Sequence, residues 1–399
     1  MVENKDKKVL NVPNLRFKEF EGEWEKKRLG DFTERVKRKN KHNLSKLPLT
    51  ISAKYGLVDQ ITFFNKIVAS TDMSNYYLLK KGEFAYNKSY SNDYPWGAIK
   101  RLDNYEQGVL SALYICFATQ DNVESDFILQ YFESPKWHRS VSEIAVEGAR
   151  NHGLLNISVQ DFFQTYHYVP KEKKEQTKIA TLLHLIDERI STQNKIIEDL
   201  KKLKSAIIEI EYSPKTKTSS HIGDFIVQTS KRNKDNAIQT VLSISNRQGF
   251  IQQSEQFENR CVASNDTSNY KIVERNDFAF NPARINVGSI ARLITFEKGI
   301  VSPMYICFRT KGCATPEYLD YFFESKLFFT EIQKRLEGSV RQCLSYESLC
   351  NIPLPLLAIE VQQRIGKQLF TLAQKIKLET DFLEILHKQK QHLLRQMFI

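Results

Sequence analysis

Two stretches of this chain carry the same stripe of apolar residues. In the first, aliphatic side chains recur at Ile179, Leu183, Ile186, Ile190, Ile197, Leu200 and Ile207. In the second they stand at Ile365, Leu369, Leu372, Ile376, Leu383, Leu386 and Leu393, with Met397 closing the run. The alternating four–three spacing is that of a coiled-coil seam. Even the interruptions coincide, Gln193 with Glu379 and Lys204 with Lys390. One such stripe would predict a surface helix packed on its own domain. Two in register, with polar breaks at matching steps, predict two helices of about 40 residues that pair with each other. Additional apolar positions at Leu182, Ile196, Leu203, Phe370 and Phe382 point to further surface that something covers.

Elsewhere the pattern turns strand-like. Residues 49–52, 83–86 and 109–119 are enriched in β-branched and aromatic side chains, and so are 241–245, 277–280 and 300–309. Residues 125–141 predict an amphipathic helix with Phe127, Ile128, Tyr131 and Phe132 on one face and Ser125 as its cap. Residues 316–336 repeat it. Leu29-Gly30-Asp31-Phe32 returns as Ile222-Gly223-Asp224-Phe225. A repeat of about 190 residues is too long for a solenoid unit and implies two related domains. The expected architecture is α+β with a pseudo-two-fold internal repeat: two globular mixed domains joined by two long helices forming an antiparallel coiled coil. The expected spans are a lead-in over 1–28, a first domain over 29–170 and a first helix over 171–212. A linker over 213–221, a second domain over 222–357 and a second helix over 358–399 follow.

The direction of pairing follows from reach. A helix of about 40 residues is about 60 Å long. The nine residues between Tyr212 and Ile222 extend to only about 30 Å. The second domain must therefore begin near the far end of the first helix. An antiparallel partner needs no return journey, and the expected shape is a dumbbell.

Net charge is +11. The excess of positive charge is 4 through Tyr212 and 7 beyond it, so both halves are basic. This favours a polyanionic partner. The polar start is no signal peptide, and no apolar run is long enough to span a membrane, so a cytoplasmic protein is expected. The six cysteines form no CxxC pair and no histidine stands at metal-ligand spacing. Cys116 and Cys307 occupy matching places and read as core residues of buried strands. There is no phosphate loop, zinc-binding HExxH or GxSxG elbow. Asn281-Pro282 lacks the Pro-aromatic pair that would complete an amino-methyltransferase motif, and Gly at 15 of 399 residues is scarce for cradling phosphates. No catalytic residue, metal site or cofactor of the chain's own is expected.

What remains is recognition. Polar, basic and aromatic residues gather in three loops per copy. In the first copy they are Lys54 and Tyr55, then Asn87, Lys88, Ser89, Tyr90 and Asn92, then Arg150 and Asn151. In the second they are Asn246, Arg247 and Gln248, then Asn281, Arg284 and Asn286, then Arg341 and Gln342. Arg can take guanine bidentately, Asn and Gln can take adenine, and Lys and Ser serve phosphates. The copies agree in framework residues such as Ile51 and Ile244, Gly56 and Gly249, Tyr114 and Tyr305. They differ most in these loops.

This arrangement resembles the specificity subunit of type I restriction–modification enzymes, over essentially the whole chain. The resemblance rests on Pro13-Asn14-Leu15-Arg16-Phe17, Phe20-Glu21-Gly22-Glu23-Trp24 and Leu29-Gly30-Asp31. It rests equally on Ser268-Asn269-Tyr270, residues 277–284, Gly338-Ser339-Val340-Arg341-Gln342, and Pro353-Leu354-Pro355 with Gln362 and Ile365. It implies two target-recognition domains, each reading half of an asymmetric bipartite site on double-stranded DNA, with the helices as spacer. It implies a non-catalytic chain. Two modification subunits would supply S-adenosylmethionine-dependent adenine methylation, and restriction subunits would supply ATP- and Mg-dependent translocation and cleavage. The first copy departs from the pattern, with Asn87-Lys88-Ser89-Tyr90 where the second has Asn281-Pro282-Ala283-Arg284. A stand-alone DNA-binding regulator and a coiled-coil scaffold for proteins are the competing classes.

Overall fold

The computed structural model describes residues 10–52, 55–66, 69–91, 93–145, 153–213, 220–246, 248–253, 266–338, 342–355 and 357–399. The chain divides into two compact units, Met1–Gln193 with Phe382–Ile399, and Asn194–Asp381. Each unit therefore holds one globular head together with one end of both long helices.

In the first unit a short pair joins β1 (Glu25–Arg28) to β10 (Tyr166–Val169). One sheet has the order β2 (Thr33–Arg35), β9 (Ile115–Thr119), β6 (Phe84–Asn87), β7 (Ala98–Arg101). The hairpin β3 (Leu49–Ser52) and β4 (Gly56–Asp59) lies beside the pair β5 (Tyr77–Lys80) and β8 (Gln107–Leu110), linked by a parallel bridge from Pro48 to Val109. Helices α1 (Gln60–Phe64), α2 (Ser125–Glu133), α3 (Trp137–Ser142) and α4 (Val159–Gln164) precede the long helix α5 (Lys173–Tyr212).

The second unit opens with α6 (Ile222–Phe225) and repeats the plan. Its first sheet runs β11 (Ile226–Thr229), β18 (Ile306–Thr310), β15 (Phe278–Phe280), β16 (Ile290–Arg292). Its second runs β13 (Gly249–Gln252), β12 (Val241–Ser245), β17 (Lys298–Val301), β14 (Lys271–Glu274). Helices α7 (Pro316–Phe322), α8 (Lys326–Gln333) and α9 (Tyr346–Cys350) lead to the long α10 (Ile359–Gln396). The repeat extends to ring geometry. Phe84 stacks on Phe117 at 5.2 Å, and Phe278 stacks on Phe308 at 5.2 Å.

Three helix expectations need correction, one of them the helix over 316–336, which forms α7 and α8 with residues 323–325 between them. Residues 125–141 form α2 and α3, broken at Ser134-Pro135, because proline disfavours a helical residue before it. Ser125 does not cap α2 either. Its hydroxyl accepts from Arg101 Nη1 at 3.0 Å, while the helix start is satisfied by Gln176 of α5, whose Oε1 accepts from Glu124 N at 2.8 Å. Gln176 also donates to Pro170 O at 2.9 Å. Gln362 of α10 does the same in the second unit. Its Oε1 accepts from Thr315 N at 2.9 Å, and its Nε2 donates to Cys313 O and Leu357 O. Both amides are buried, at 1% and 0% exposure.

In each unit the long helices run antiparallel. In the first, Ile179 and Leu183 share a core with Leu394, Met397 and Phe398. Further along α5, Asp187 pairs with Lys390 at 2.5 Å and Arg189 lies over the Phe382 ring. Ile186 and Ile190 pack with Leu383, Leu386 and Leu393. In the second, Ile208 and Tyr212 share a core with Ile365 and Leu369, and Glu211 reaches Arg364 at 3.7 Å. Of the remaining seam positions, Ile197 is buried and Leu200, Leu372 and Ile376 are half-buried. Near the heads the buried face shifts by one residue. Ile208 and Leu394 are buried where Ile207 and Leu393 are half-buried, because the helix there must also cover the head. Lys204 reaches Glu324 of the head at 2.6 Å, so it and Lys390 make ion pairs at the seam's breaks.

The lead-in belongs to the first unit's packing. Leu15 N donates to Gln396 O at 2.9 Å. Arg16 forks onto the buried carboxylate of Glu175 at 2.7 and 2.8 Å, and Trp24 Nε1 donates to the same group at 3.1 Å. Among the described residues no helix is long and apolar enough to cross a membrane.

Two outcomes follow from this packing. Gly108 and Gly299 hold equivalent places in β8 and β17, and an added Cβ would stand 2.4 Å from Leu49 Cδ1 and Leu242 Cδ1. Gly108→Ala and Gly299→Ala are each expected to destabilise by about 1–3 kcal/mol through overpacking. Urea midpoints unchanged from wild type would show that the leucines repack freely. The second outcome concerns His167, buried between Tyr131 and Thr165. The Thr165 hydroxyl donates to Phe162 O, so Nε2 carries the ring hydrogen toward Thr165 at 2.7 Å. Nδ1 then accepts from Tyr131 at 2.8 Å. Burial pushes the pKa from 6.5 down to about 3. The unfolded chain takes up a proton that the folded chain refuses, so stability is lost as pH falls from about 6.5 toward about 3. His167→Gln is expected to flatten that loss in urea melts repeated across the window. An identical pH slope would assign the loss to other groups.

Candidate nucleic-acid interface

Strand register brings the predicted loops together at one end of the sheets in each unit. In the second unit Phe280 pairs with both Ile290 and Ile306, which places the loop 281–289 beside the turn 302–305 between β17 and β18. β12 runs parallel to β17, so Asn246 and Gln248, on either side of the β12–β13 turn, stand at the same end. At that turn an added Cβ on Gly249 would touch Ala291 at 3.7 Å. The first unit repeats this with Tyr86 against Ile115 and Ile99 and with Pro48 bridged to Val109.

The third loop is tied in through the main chain. Leu155 N donates to Lys88 O at 2.9 Å and Tyr90 N to Gly153 O at 3.0 Å. In the second unit Leu344 N donates to Pro282 O at 3.1 Å, and Glu337 bridges Cys343 across the base of its own loop. The bonds from Leu155, Tyr90 and Leu344 join segments more than 60 residues apart in sequence, and they involve no side chain.

The side chains sort into framework and exposed surface. Asn87 Oδ1 accepts from Ser89 N at 3.0 Å, and Asn281 Oδ1 accepts from Ala283 N at 3.1 Å. Each asparagine thus closes its own turn with one lone pair of its amide oxygen. Lys88 is also partly framework. Its Nζ donates to Ile157 O at 3.2 Å, and burial lowers its pKa. Tyr55, Ser89, Tyr90, Asn246, Gln248, Arg284, Asn286 and Gln342 are exposed. Lys54, Asn92, Arg150, Asn151, Arg247 and Arg341 lie outside the described residues. The sequence reading passed over Leu113 and Met304, exposed on the equivalent turns 111–114 and 302–305. Met304 Sδ lies 3.9 Å from Asn281 Nδ2. The signal was available in their matching places, two residues before Ile115 and Ile306.

Among the described residues no cluster of His, Cys, Asp and Glu could hold a metal ion. Cys116 and Cys307 lie in the cores, and burial pushes both thiols up to about 12, far from the thiolate range a nucleophile needs.

No family model matches the sequence, and no curated protein matches it. The fold does match solved structures. The crystal structure of the type I restriction–modification system S subunit from M. genitalium superposes with a TM-score of 0.58 at 15% identity, covering 97% of this chain and 99% of that one. A chain from the work on complex assembly and conformational transition of the type I R–M system gives 0.55 at 14% identity, covering 94% and 97%. The chain has the fold of a type I S subunit.

Proposed function

We propose that this chain is the non-catalytic DNA-specificity subunit of a type I restriction–modification complex, each head reading one half of an asymmetric bipartite site. The observation that carries this is the pairing of one frame with two sets of loops. Both units have the same order in the four-stranded sheet that begins with β2 or β11 and the same buried glutamine joint, and in both the main chain ties described loop ends together at one sheet end. The exposed side chains on those loops differ between the units. Two copies of one scaffold with unlike reading surfaces suit a site with unlike halves.

In this reading the basic surface supplies sequence-independent affinity and the loops supply base readout. Helices of 40 and 38 residues, each about 57–60 Å long, would set an unread spacer of less than two duplex turns at about 34 Å per turn. Apolar side chains left exposed on these helices support docking of two methyltransferase subunits. Ile196, Leu203 and Ile210 recur every seven residues on α5, and Phe370, Leu378 and Ile385 stand out on α10. Those subunits would bring S-adenosylmethionine and extrude the target adenine. Restriction–translocase subunits would bring ATP and Mg. The complex would act in the cytoplasm.

The test is to express the chain with its methyltransferase partner and map adenine methylation. A split asymmetric motif is expected, with one methylated adenine in each half and on opposite strands. A continuous palindrome, or no methylation, would overturn the reading. Arg284→Ala is expected to relax one half-motif by about 1–3 kcal/mol of discrimination per lost contact and leave the other half intact. Replacing residues 30–170 with the matching region of a relative should change one half-motif only.

A further inference from the structure

Base-reading loops must differ between the two heads, but phosphates are the same on every sequence. Residues that hold the DNA backbone should therefore be charged, exposed and common to both units. Among the described residues a segment basic in both units approaches these conditions, and within it Lys41 and its counterpart Lys234 are charged and exposed in each. Lys37-Arg38-Lys39-Asn40-Lys41 in the first unit corresponds to Ser230-Lys231-Arg232-Asn233-Lys234 in the second.

The correspondence is structural. Asn40 N donates to Tyr76 O and Asn233 N to Tyr270 O, while Leu78 N donates to Arg38 O and Ile272 N to Lys231 O. Both asparagines are fully buried and close the same five-residue loop. Asn40 holds the main chain of Ser45 by two bonds of 2.9 Å, and Asn233 holds that of Ile238 at 2.9 and 3.1 Å. A buried clip thus presents basic side chains outward along the edge of β5 or β14. Lys37 and Lys41 are exposed in the first unit, and Lys231, Arg232 and Lys234 in the second. In the first unit Arg38 pairs with Glu83 and Lys39 lies over the Tyr77 ring. In the second, Lys231, Arg232, Lys234 and Lys298 line an open hollow of about 620 Å³ together with Ile272 and Ile238. The nearby carboxylates are Asp235 on the rim and Glu274, which stands 4.0 Å from Lys298. Arg232 is anchored on Asn269 Oδ1 at 2.7 Å.

The segment also lies at the correct end of the sheet. Arg232 bridges Lys271, whose Nζ donates to Tyr305 O at 2.6 Å, in the turn that carries Met304 beside Asn281. The basic edge therefore runs up to the loops that would read bases.

We infer that this repeated basic edge is the phosphate-gripping surface of each head, holding the duplex backbone next to the bases without contributing to their choice. The inference rests on the DNA-reading function proposed above. Its test uses the full chain in complex with its methyltransferase partner, and two duplexes: one carrying the methylated motif and one with that motif scrambled. The variant is Lys231→Gln with Arg232→Gln and Lys234→Gln, leaving Asn233 in place, and a urea midpoint like wild type certifies its fold. Affinity is expected to fall for both duplexes in parallel. The slope of log affinity against log salt should shrink by about 2 to 3, the loss of about three phosphate contacts, while the ratio of the two affinities stays constant. Lys37→Gln with Lys41→Gln should act the same way from the first head. An unchanged salt slope in both variants, or a changed ratio, would overturn the inference. Wild type that prefers neither duplex would instead overturn the proposed function.

Discussion

Each unit depends on how a long helix is joined to a sheet-bearing head, and a single buried amide makes that joint. The start of a helix leaves main-chain donors without partners. Thr315 meets this need locally in the second head, its hydroxyl accepting from Tyr318 N. In both heads the donor that precedes the short helix is met by the long helix, through Gln176 and Gln362. An amide is suited to this because it both donates and accepts. The oxygen holds the short helix and the nitrogen holds the chain that enters the long one. Burial makes the arrangement strict, since an unmet partner in that setting costs about 1–3 kcal/mol. The direction in which each rod leaves its head is thereby a property of two side-chain atoms.

The antiparallel helix pairs within each unit have a different basis. They rest on apolar stripes that fade where the helix meets its head and widen to include neighbouring residues. Phe398 packs with Trp24, Phe127 and Tyr131, and Tyr212 packs with Tyr318 and Phe322. Aromatic rings thus terminate both rods in the same kind of socket.

The long helices and the repeat were legible in the sequence because each is a periodic signal that survives without knowledge of neighbours. Strands β3, β6, β12 and β15 were legible in place and nearly in length, whereas 109–119 and 300–309 each hold two strands with a turn between them, and the remaining strands carry no such signal. What escaped were the destinations of individual polar side chains. Ser125 has the composition of a cap but serves Arg101, while Gln176 of the long helix, 52 residues from Glu124, holds the main chain where the helix begins. Asn87 and Asn281 have the composition of base readers, and their oxygens also close their own turns. The break at Pro135 was written in the sequence and outweighs the amphipathic pattern around it. The basic edge around Asn40 and Asn233 went unread because charge alone is common, and only the shared buried clip separates it from an ordinary solvated surface.

The loops at the sheet ends are cross-tied by main-chain bonds such as Leu155 N to Lys88 O and Leu344 N to Pro282 O. A carbonyl and an amide are indifferent to the side chains they carry. Substitutions on the exposed faces of these loops therefore leave the ties intact, and surface changes of this kind usually shift stability by less than about 0.5 kcal/mol. The heads are in this sense type-cases with interchangeable letters. A lineage could rewrite what one end says while the press that holds it stays in register.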